Sequence, residues 1–149
     1  MTAPASRCFN ARLEPCANLR AWIENFCDET KASEHNTWQL TLVLEELFTN
    51  SIKHGYPGLM DKDKANLPEW PIWIELRHSP DGIHALYEDA AIEFNPLENI
   101  RPPDYSGPAE SWRIGGLGLP MVAGIATQMR YVRTANRNRL SLMLPASDK

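Results

Sequence analysis

Apolar residues recur every three or four positions in two segments near the start of the chain, a spacing typical of amphipathic helices. The first segment predicts a helix over Pro15–Lys31, and the second predicts a helix that ends in the Gly-Tyr-Pro-Gly cluster at positions 55–58. Asn36 is a suitable N-cap for this second helix, and Gln39 would complete a capping box. The apolar stripes consist of Leu19, Trp22, Ile23 and Phe26 in the first helix and of Leu40, Val43, Leu44 and Leu47 in the second.

Alternation of apolar and polar residues predicts strands in the rest of the chain. Ile72–His78 and Gly82–Glu88 alternate in this way, and the Ser-Pro-Asp-Gly sequence that joins them predicts a hairpin turn. The other predicted elements are strands at Cys8–Leu13, Met129–Arg133 and Arg139–Leu144 and a helix at Leu119–Thr127. This order of elements predicts an α+β fold, with helices on one face of a mainly antiparallel sheet.

Two segments show little periodicity and are predicted to be loops. Met60–Pro68 is rich in charged residues, which is typical of a solvated loop. Pro96–Ile114 contains several prolines and a glycine. A loop of this length inside a compact domain is usually functional and often serves as a lid.

The composition is that of an ordinary globular protein, with 149 residues, 43% hydrophobic and 23% charged, which suits a single domain over residues 1–149. A formal net charge of −4 argues against a general nucleic-acid binder, whose surface would be basic. No apolar run approaches the roughly 20 residues of a membrane span, and no signal peptide is evident. The three cysteines form no CxxC pair and indicate reduced thiols in a cytoplasmic protein.

A line of polar residues runs beside the apolar stripe of the second helix. Glu46 and Asn50 are four residues apart, so they project from one face at about 40° to each other, and His54 continues the line. A carboxylate there could deprotonate a hydroxyl, and an amide oxygen is a suitable ligand for Mg²⁺. The alternative is an ordinary solvated helix face, since such residues at this spacing are common.

A glycine-rich segment precedes the third predicted helix and consists of Gly115, Gly116, Leu117, Gly118 and Leu119. Glycines allow a close approach of the backbone, and the free N–H groups of the following helix favour phosphate. The sequence is not a P-loop, because no Gly-Lys-Ser/Thr follows. The alternative is a tight strand-to-helix connection without a ligand.

Asp89 ends an apolar strand and precedes the predicted lid. A buried carboxylate at that place could accept a hydrogen bond from an exocyclic amine. The alternative is an aspartate that forms a turn at a strand end, which is a common use of this residue.

Two further groups of residues are predicted to have structural roles. Trp70 and Trp73 are expected in the core or on an edge strand. A solvated sheet edge that could meet an acidic partner is expected to carry Arg130, Arg133, Arg137 and Arg139.

Taken together, these segments resemble the ATP-binding fold shared by gyrase B, Hsp90, histidine kinases and MutL (the GHKL superfamily). The closest resemblance is to its small stand-alone branch, the anti-sigma-factor serine/threonine kinases. That branch has a Glu-Glu-x-x-x-Asn helix ending in His-Gly-Tyr, found here at positions 45–56. Its Asp-x-Gly-x-x-Phe-x-Pro box corresponds to positions 89–96, and its Gly-Gly-x-Gly-hydrophobic box to positions 115–119.

This resemblance implies a two-layer α/β sandwich of the Bergerat type that binds ATP and Mg²⁺. Glu46 would be the general base that activates a partner's serine, and Asn50 would coordinate the metal. Asp89 would bind the adenine amino group, with His54 and Ala91 also at the nucleotide. The residues implied to hold the phosphates are Gly115, Gly116, Leu117, Gly118 and Leu119, with Pro96–Ile114 as the ATP lid.

Two positions depart from the pattern of the resembling family. Ala91 stands where that family has glycine, and the acidic Glu93 stands where a small residue is common. If the glycine serves a positive φ, alanine would cost on the order of 1 kcal/mol. If the glycine allows the base to pack closely, the methyl group would narrow the pocket. Glu93 would repel phosphates unless it points outward.

The resemblance also implies the partners and the process. Such proteins bind a sigma factor and phosphorylate a serine of an anti-anti-sigma protein of the STAS type, so we expect a bacterial, cytoplasmic kinase that regulates transcription. No direct contact with nucleic acid or membrane is expected. Homodimers are common in that family, although no sequence pattern here indicates one. The alternative is a binding module that sequesters its partner with weak nucleotide binding or none.

Overall fold

The computed structural model describes residues 3–12, 14–56, 70–98 and 118–146. The helices are α1 (Cys16–Thr30), α2 (Glu34–Asn50) and α3 (Gly118–Ile125), and the strands are β1 (Ala5–Asn10), β2 (Pro71–Ser79), β3 (Gly82–Asp89), β4 (Thr127–Thr134) and β5 (Arg137–Pro145). A π-helical turn, Ser51–Gly55, follows α2 directly. This order confirms the predicted α+β class. The predicted loop Met60–Pro68 and most of the predicted lid lie outside the described residues.

The strands form one antiparallel sheet in the order β1-β2-β3-β5-β4. The predicted hairpin joins β2 to β3 and turns at Gly82, whose φ is +141°. A side chain at Gly82 would overlap the backbone of Leu144 on β5. Glycine is therefore required at this turn both by backbone conformation and by space.

The core lies between one face of the sheet and the helices. Leu40, Val43, Leu44 and Leu47 of α2 are buried, as the helical period predicts, and so are the inward residues of β2, Ile72, Ile74 and Leu76. Among the described residues, no helix covers the other side of the sheet. We call that side the open face, and it is formed by the outward side chains of β2, β3, β5 and β4, such as Glu75, Leu86, Ser141 and Arg130.

The predicted N-cap of the second helix is wrong. Ser33 caps α2, and its Oγ accepts a hydrogen bond from the backbone N–H of Asn36 at 3.0 Å. Asn36 is buried inside the first turn, where its amide donates to Gln39 Oε1 at 3.0 Å and to the Pro145 carbonyl at 2.9 Å. Serine and asparagine are both good N-caps. The hydrogen bond from Asn36 to the end of β5 places Asn36 inside the helix and leaves Ser33 as the cap.

Two boundaries also differ from the predicted ones. Strand β1 begins at Ala5 and ends at Asn10, because the Asn10 side chain accepts from the Arg12 N–H and turns the chain toward α1. Helix α3 is shorter than predicted, and Thr127 already belongs to β4. The hydrophobic pattern continues past the end of β1 and past the end of α3. The pattern alone therefore placed both of these ends too late in the chain.

Candidate functional site

A cavity opens between α2 with its π-helical turn and the ends of β3 and β5. Four of the predicted site residues line it together: Asn50, His54, Asp89 and Ala91. Its apolar walls come from Leu47, Ile92, Phe94, Pro96 and Leu140. The wider π-helical turn carries the polar line of α2 on past Asn50, and such turns are frequent at functional sites.

Asp89 is the buried acid of this cavity, with 7% of its surface exposed. Its carboxylate accepts three hydrogen bonds, from Ser51 Oγ at 2.6 Å, from Asn138 Nδ2 at 2.8 Å and from the Ala91 N–H at 3.2 Å. A carboxylate offers about four lone-pair positions. One position therefore remains for a donor in the cavity.

Two hydroxyl groups connect Asp89 to helix α2. The Tyr87 hydroxyl donates to the Leu47 carbonyl at 2.9 Å and lies 2.6 Å from Ser51 Oγ, which donates to Asp89. Burial raises the pKa of Tyr87 well above its usual value, and the hydrogen bond with Ser51 opposes that shift. Ser51 and Tyr87 are not among the residues predicted from the sequence. The available signal was that positions 87 and 89 of one strand share a face.

Asn138 connects Asp89 to the segment that leads into the predicted lid. Its Nδ2 donates to Asp89 and also to the Ile92 carbonyl at 2.8 Å, while its Oδ1 accepts from the Phe94 N–H at 3.0 Å. The same oxygen accepts from Tyr131 Oη at 2.6 Å and from Arg133 Nη1 at 3.2 Å. This single amide thus uses both its donors and its acceptor to position the cavity wall.

The prediction of a solvated arginine strip is wrong for Arg133. Its guanidinium lies on the cavity side of the sheet, where it donates to the Ala91 carbonyl at 2.8 Å. Arg137 and Arg139 lie on the open face, where they pair with Glu88 at 3.2 and 3.3 Å. Alternation along the strands separates these residues, because successive side chains point to opposite faces.

Tyr56 holds the chain directly after Asp89. Its hydroxyl donates to the Pro71 carbonyl and accepts from the Ala90 N–H, both at 2.7 Å. Its ring stacks on buried Trp70 with 5.3 Å between centroids. Burial raises the pKa of Tyr56 above its usual range, so the phenol stays neutral. The backbone on both sides of Asp89 is therefore anchored.

Ala91 has no positive φ, so its backbone does not require glycine. The residue is buried, and its methyl group packs against Gly55, where an added Cβ would come within 2.6 Å of it. Two effects of this alanine were considered, backbone strain and a narrower pocket. The structure excludes backbone strain, so the remaining effect is the space that the methyl group occupies in the cavity wall. Glu93 is exposed.

Two adjacent acids on α2 have different environments. Glu45 pairs with Arg20 at 2.6 Å and so links α2 to α1. Glu46 lies instead against the first residue of α3, because a side chain at Gly118 would overlap its carboxylate. Leu119 follows in the same helix, whereas Gly115, Gly116 and Leu117 lie outside the described residues.

The comparisons with known proteins agree with this arrangement. A family model described as the histidine kinase-like ATPase domain matches residues 9–144. The chain belongs to this family. Membership implies an ATP-binding domain, and a search of curated proteins finds no match.

A solved structure shares the fold of this ATPase domain. It contains the RsbU and RsbW domains of Rv1364c from Mycobacterium tuberculosis and superposes with a TM-score of 0.64 at 15% identity. The match covers 99% of this chain and 34% of that one, so this chain spans about a third of its length. At this identity the likeness concerns the fold. In the described part of the ATPase domain, no helix is long and apolar enough to cross a membrane.

The residues of the cavity fit an adenine nucleotide. Asp89 offers a buried acceptor among apolar walls, which suits a flat ring that carries an amine. No group of three or more histidine, cysteine or acidic side chains that could hold a metal occurs in the described ranges. Mg²⁺ bound to a nucleotide needs only one or two protein ligands, and Asn50 of the ATPase domain could supply one.

Proposed function

We propose that this protein is an ATP-dependent regulator of the anti-sigma-factor type, which phosphorylates a serine of a partner protein. The partner class is a STAS-type anti-anti-sigma protein, a sigma factor, or both, and the setting is the bacterial cytoplasm. Membership of the ATPase family and the fold shared with a structure that contains an RsbW domain support this proposal. The serine specificity rests on the three sequence motifs.

The observation that carries the proposal is the environment of Asp89. Its carboxylate is buried, is oriented by three donors and has one acceptor position left, on the wall of an otherwise apolar cavity. A group positioned this well by its neighbours binds a ligand donor without a further ordering cost. An aspartate that only ended a strand would not need this arrangement.

The other roles follow along helix α2 toward α3. Asn50 would hold Mg²⁺ through its amide oxygen, and Glu46, one turn earlier, would accept the proton of the incoming serine hydroxyl. The α3 N-terminus beside Glu46 would direct its free N–H groups at bound phosphate. When bound, Mg-ATP supplies the phosphoryl group, and the residues of this chain orient it and receive the proton.

Calorimetric titration with ATP and Mg²⁺ tests the nucleotide site. We expect binding in the micromolar range, weakened about tenfold or more by Asn50→Ala, because the metal loses its protein ligand. The matched control is Asn25→Ala on α1, whose amide contacts only Glu29 among the described residues. Equal affinities of wild type and Asn50→Ala, or no binding at millimolar ATP, would contradict the proposed site.

A second function has one observation in its favour. The Ala91 methyl occupies the cavity wall against Gly55, which supports a binding module that sequesters its partner with little nucleotide. The variant Ala91→Gly separates the two functions. For a working kinase we expect ATP affinity to rise by less than about tenfold. A much larger gain would mean that the natural site is impaired and would favour the binding module.

A further inference from the structure

Two polar side chains of the edge strand β4 lie on the cavity side of the sheet. Tyr131 lines the cavity, and Arg133 reaches the Ala91 carbonyl in its wall. Val132, between them in sequence, is 38% exposed and belongs to the open face, as alternation along a strand requires. The roles proposed above for the cavity residues involve neither Tyr131 nor Arg133.

The register of the β4–β5 hairpin places these side chains beside Asp89. The hairpin turns through Ala135 and Asn136, which both have a positive φ, of 50° and 61°. Positive φ at both central residues is typical of the type I′ turn, which suits the twist of a hairpin. In the resulting register Arg133 is paired with Asn138, and Asn138 is paired with Asp89 on β3. A slip of one residue would move Arg133 to the open face.

Hydrogen bonds run along this row from β4 to Asp89. Tyr131 Oη donates to Asn138 Oδ1 at 2.6 Å, and Arg133 Nη1 donates to the same oxygen at 3.2 Å. On the other side of the amide, Asn138 Nδ2 donates to Asp89 at 2.8 Å. The amide therefore directs its oxygen at the guanidinium and its nitrogen at the carboxylate, the orientation that both charges favour.

The two residues of β4 are the firm supports of this amide. Asn138 Oδ1 has a third donor, the Phe94 N–H, but that segment is itself held by Asn138 through the Ile92 carbonyl. Of the donors to Oδ1, only Tyr131 and Arg133 belong to the sheet. The position of the amide therefore depends on β4.

Arg133 also supports a second donor to Asp89. Its guanidinium donates to the Ala91 carbonyl at 2.8 Å, and the N–H of the same alanine donates to Asp89 at 3.2 Å. Two of the three donors that orient Asp89 are thus held from β4. The third donor, Ser51, comes from the π-helical turn after α2.

From these contacts we infer that Tyr131 and Arg133 are positioning residues for base recognition. They act through Asn138 and Ala91 and keep the remaining acceptor position of Asp89 directed into the cavity. The ligand class is a purine nucleotide with an exocyclic amine, because a carbonyl oxygen in place of the amine would face the carboxylate. A site selects well only when such a group is held firmly by its neighbours. This inference rests on the proposed nucleotide site and names what makes that site select the amine.

Calorimetric titration with ATP and with inosine triphosphate, both with Mg²⁺, tests this inference. Inosine triphosphate carries an oxygen where ATP carries the amine, so the wild type should bind ATP at least about tenfold more tightly. In the double variant Tyr131→Phe/Arg133→Met, affinity for ATP should fall about tenfold and affinity for inosine triphosphate less than about twofold. The preference for the amine is then largely lost, because Asp89 is no longer held in place.

The matched control is Arg130→Met, the same replacement on the same strand. Arg130 is exposed and lies on the open face, so both affinities should stay at their wild-type values. Each single variant, Tyr131→Phe or Arg133→Met, leaves one donor from β4 on Asn138 and should lose less of the preference than the double variant. The single variants carry the test if the double variant does not fold, which circular dichroism establishes.

Two results would overturn the inference while wild-type ATP binding, and with it the proposed function, stands. The variants could keep the wild-type preference for ATP, or they could weaken both nucleotides equally, which would mean that Tyr131 and Arg133 only maintain the cavity wall. A wild type that binds neither nucleotide would contradict the proposed function itself, and the inference would fall with it.

Discussion

The two faces of strands β3 and β5 use polar residues in opposite ways. On the cavity side, Asp89 and Asn138 are held by several short hydrogen bonds that satisfy almost all of their polar atoms. On the open face, their chain neighbours Glu88 and Arg139 form an ion pair at 3.3 Å with the arginine half exposed. One residue along the strand thus separates a buried network from a solvated pair.

This difference shows what each face contributes. A buried polar network stabilises a unique geometry, because leaving one member without its partner costs the full desolvation of that group. An exposed ion pair contributes little to stability, since water and salt screen it. We therefore expect the cavity side to determine ligand binding and stability, and the open face to contribute little to either.

The largest expected effect is a loss of stability when a residue of β5 on the cavity side is replaced. Replacement of its neighbour on the open face is the comparison. Asn138→Leu removes one of the three donors to Asp89 and the partner of the Ile92 carbonyl and of the Phe94 N–H, and should lower the free energy of unfolding by about 3 kcal/mol. Arg139→Leu should lower it by less than about 1 kcal/mol. Urea denaturation at low protein concentration measures both.

Similar losses in these two variants would break the comparison, since the network would then be no more important than the exposed pair. A further check is the ATP affinity of Arg139→Leu, which should match the wild type because the arginine lies on the face opposite the cavity.

The second prediction concerns the position of Glu46. Gly118→Ala would displace its carboxylate, and phosphoryl transfer to a partner serine should fall about 100-fold, because a small misplacement of a catalytic group is costly. Stability should change little, since the end of a flexible side chain can move. Radiolabelled ATP and a STAS-type substrate protein provide the assay.

Gly124→Ala is the matched control for this prediction. Gly124 lies in the same helix, and a Cβ added there would meet no neighbouring atom within 4 Å. Alanine should therefore stabilise α3 by up to about 1 kcal/mol without loss of phosphoryl transfer. Glu46→Gln should reproduce the loss of transfer. Full activity in Glu46→Gln would remove Glu46 from the proposed catalytic role.

The smallest expected effect is a fall in stability at alkaline pH that involves two tyrosines on the cavity side. Burial raises the pKa of Tyr56 and of Tyr87, so both phenols stay neutral in the folded protein while the unfolded chain ionises them above about pH 10. Stability is therefore complete below that pH and falls above it, by about 1.4 kcal/mol per pH unit for each tyrosine.

Urea denaturation between about pH 9 and 11 measures this slope. Tyr87→Phe should make the slope less steep by about 1.4 kcal/mol per pH unit, and an unchanged slope would contradict the assignment.

Much of this fold follows from local patterns in the sequence. The helical period located α2, and its buried stripe is the predicted one. Alternation located the β2–β3 hairpin, and the Ser-Pro-Asp-Gly turn placed its glycine correctly. These predictions succeed because a repeat of about 3.6 or 2 residues determines which side chains share a face, whatever the rest of the chain does.

The sequence also indicated Asn50, His54, Asp89 and Ala91, and the cavity brings these residues together. The roles predicted for them stay proposals. For Ala91 the sequence left two explanations open, and the absence of a positive φ decided between them.

Only the tertiary structure decided which polar residues meet. Asn138 contacts Asp89 across 49 residues, and Arg133 reaches the Ala91 carbonyl across 42. Glu45 and Glu46 are neighbours in sequence, yet the packing of α1 and α3 gives them different partners. The physical reason is range: a local period determines the face of a side chain, whereas its partner depends on strand order and register, which are set by the whole packed sheet.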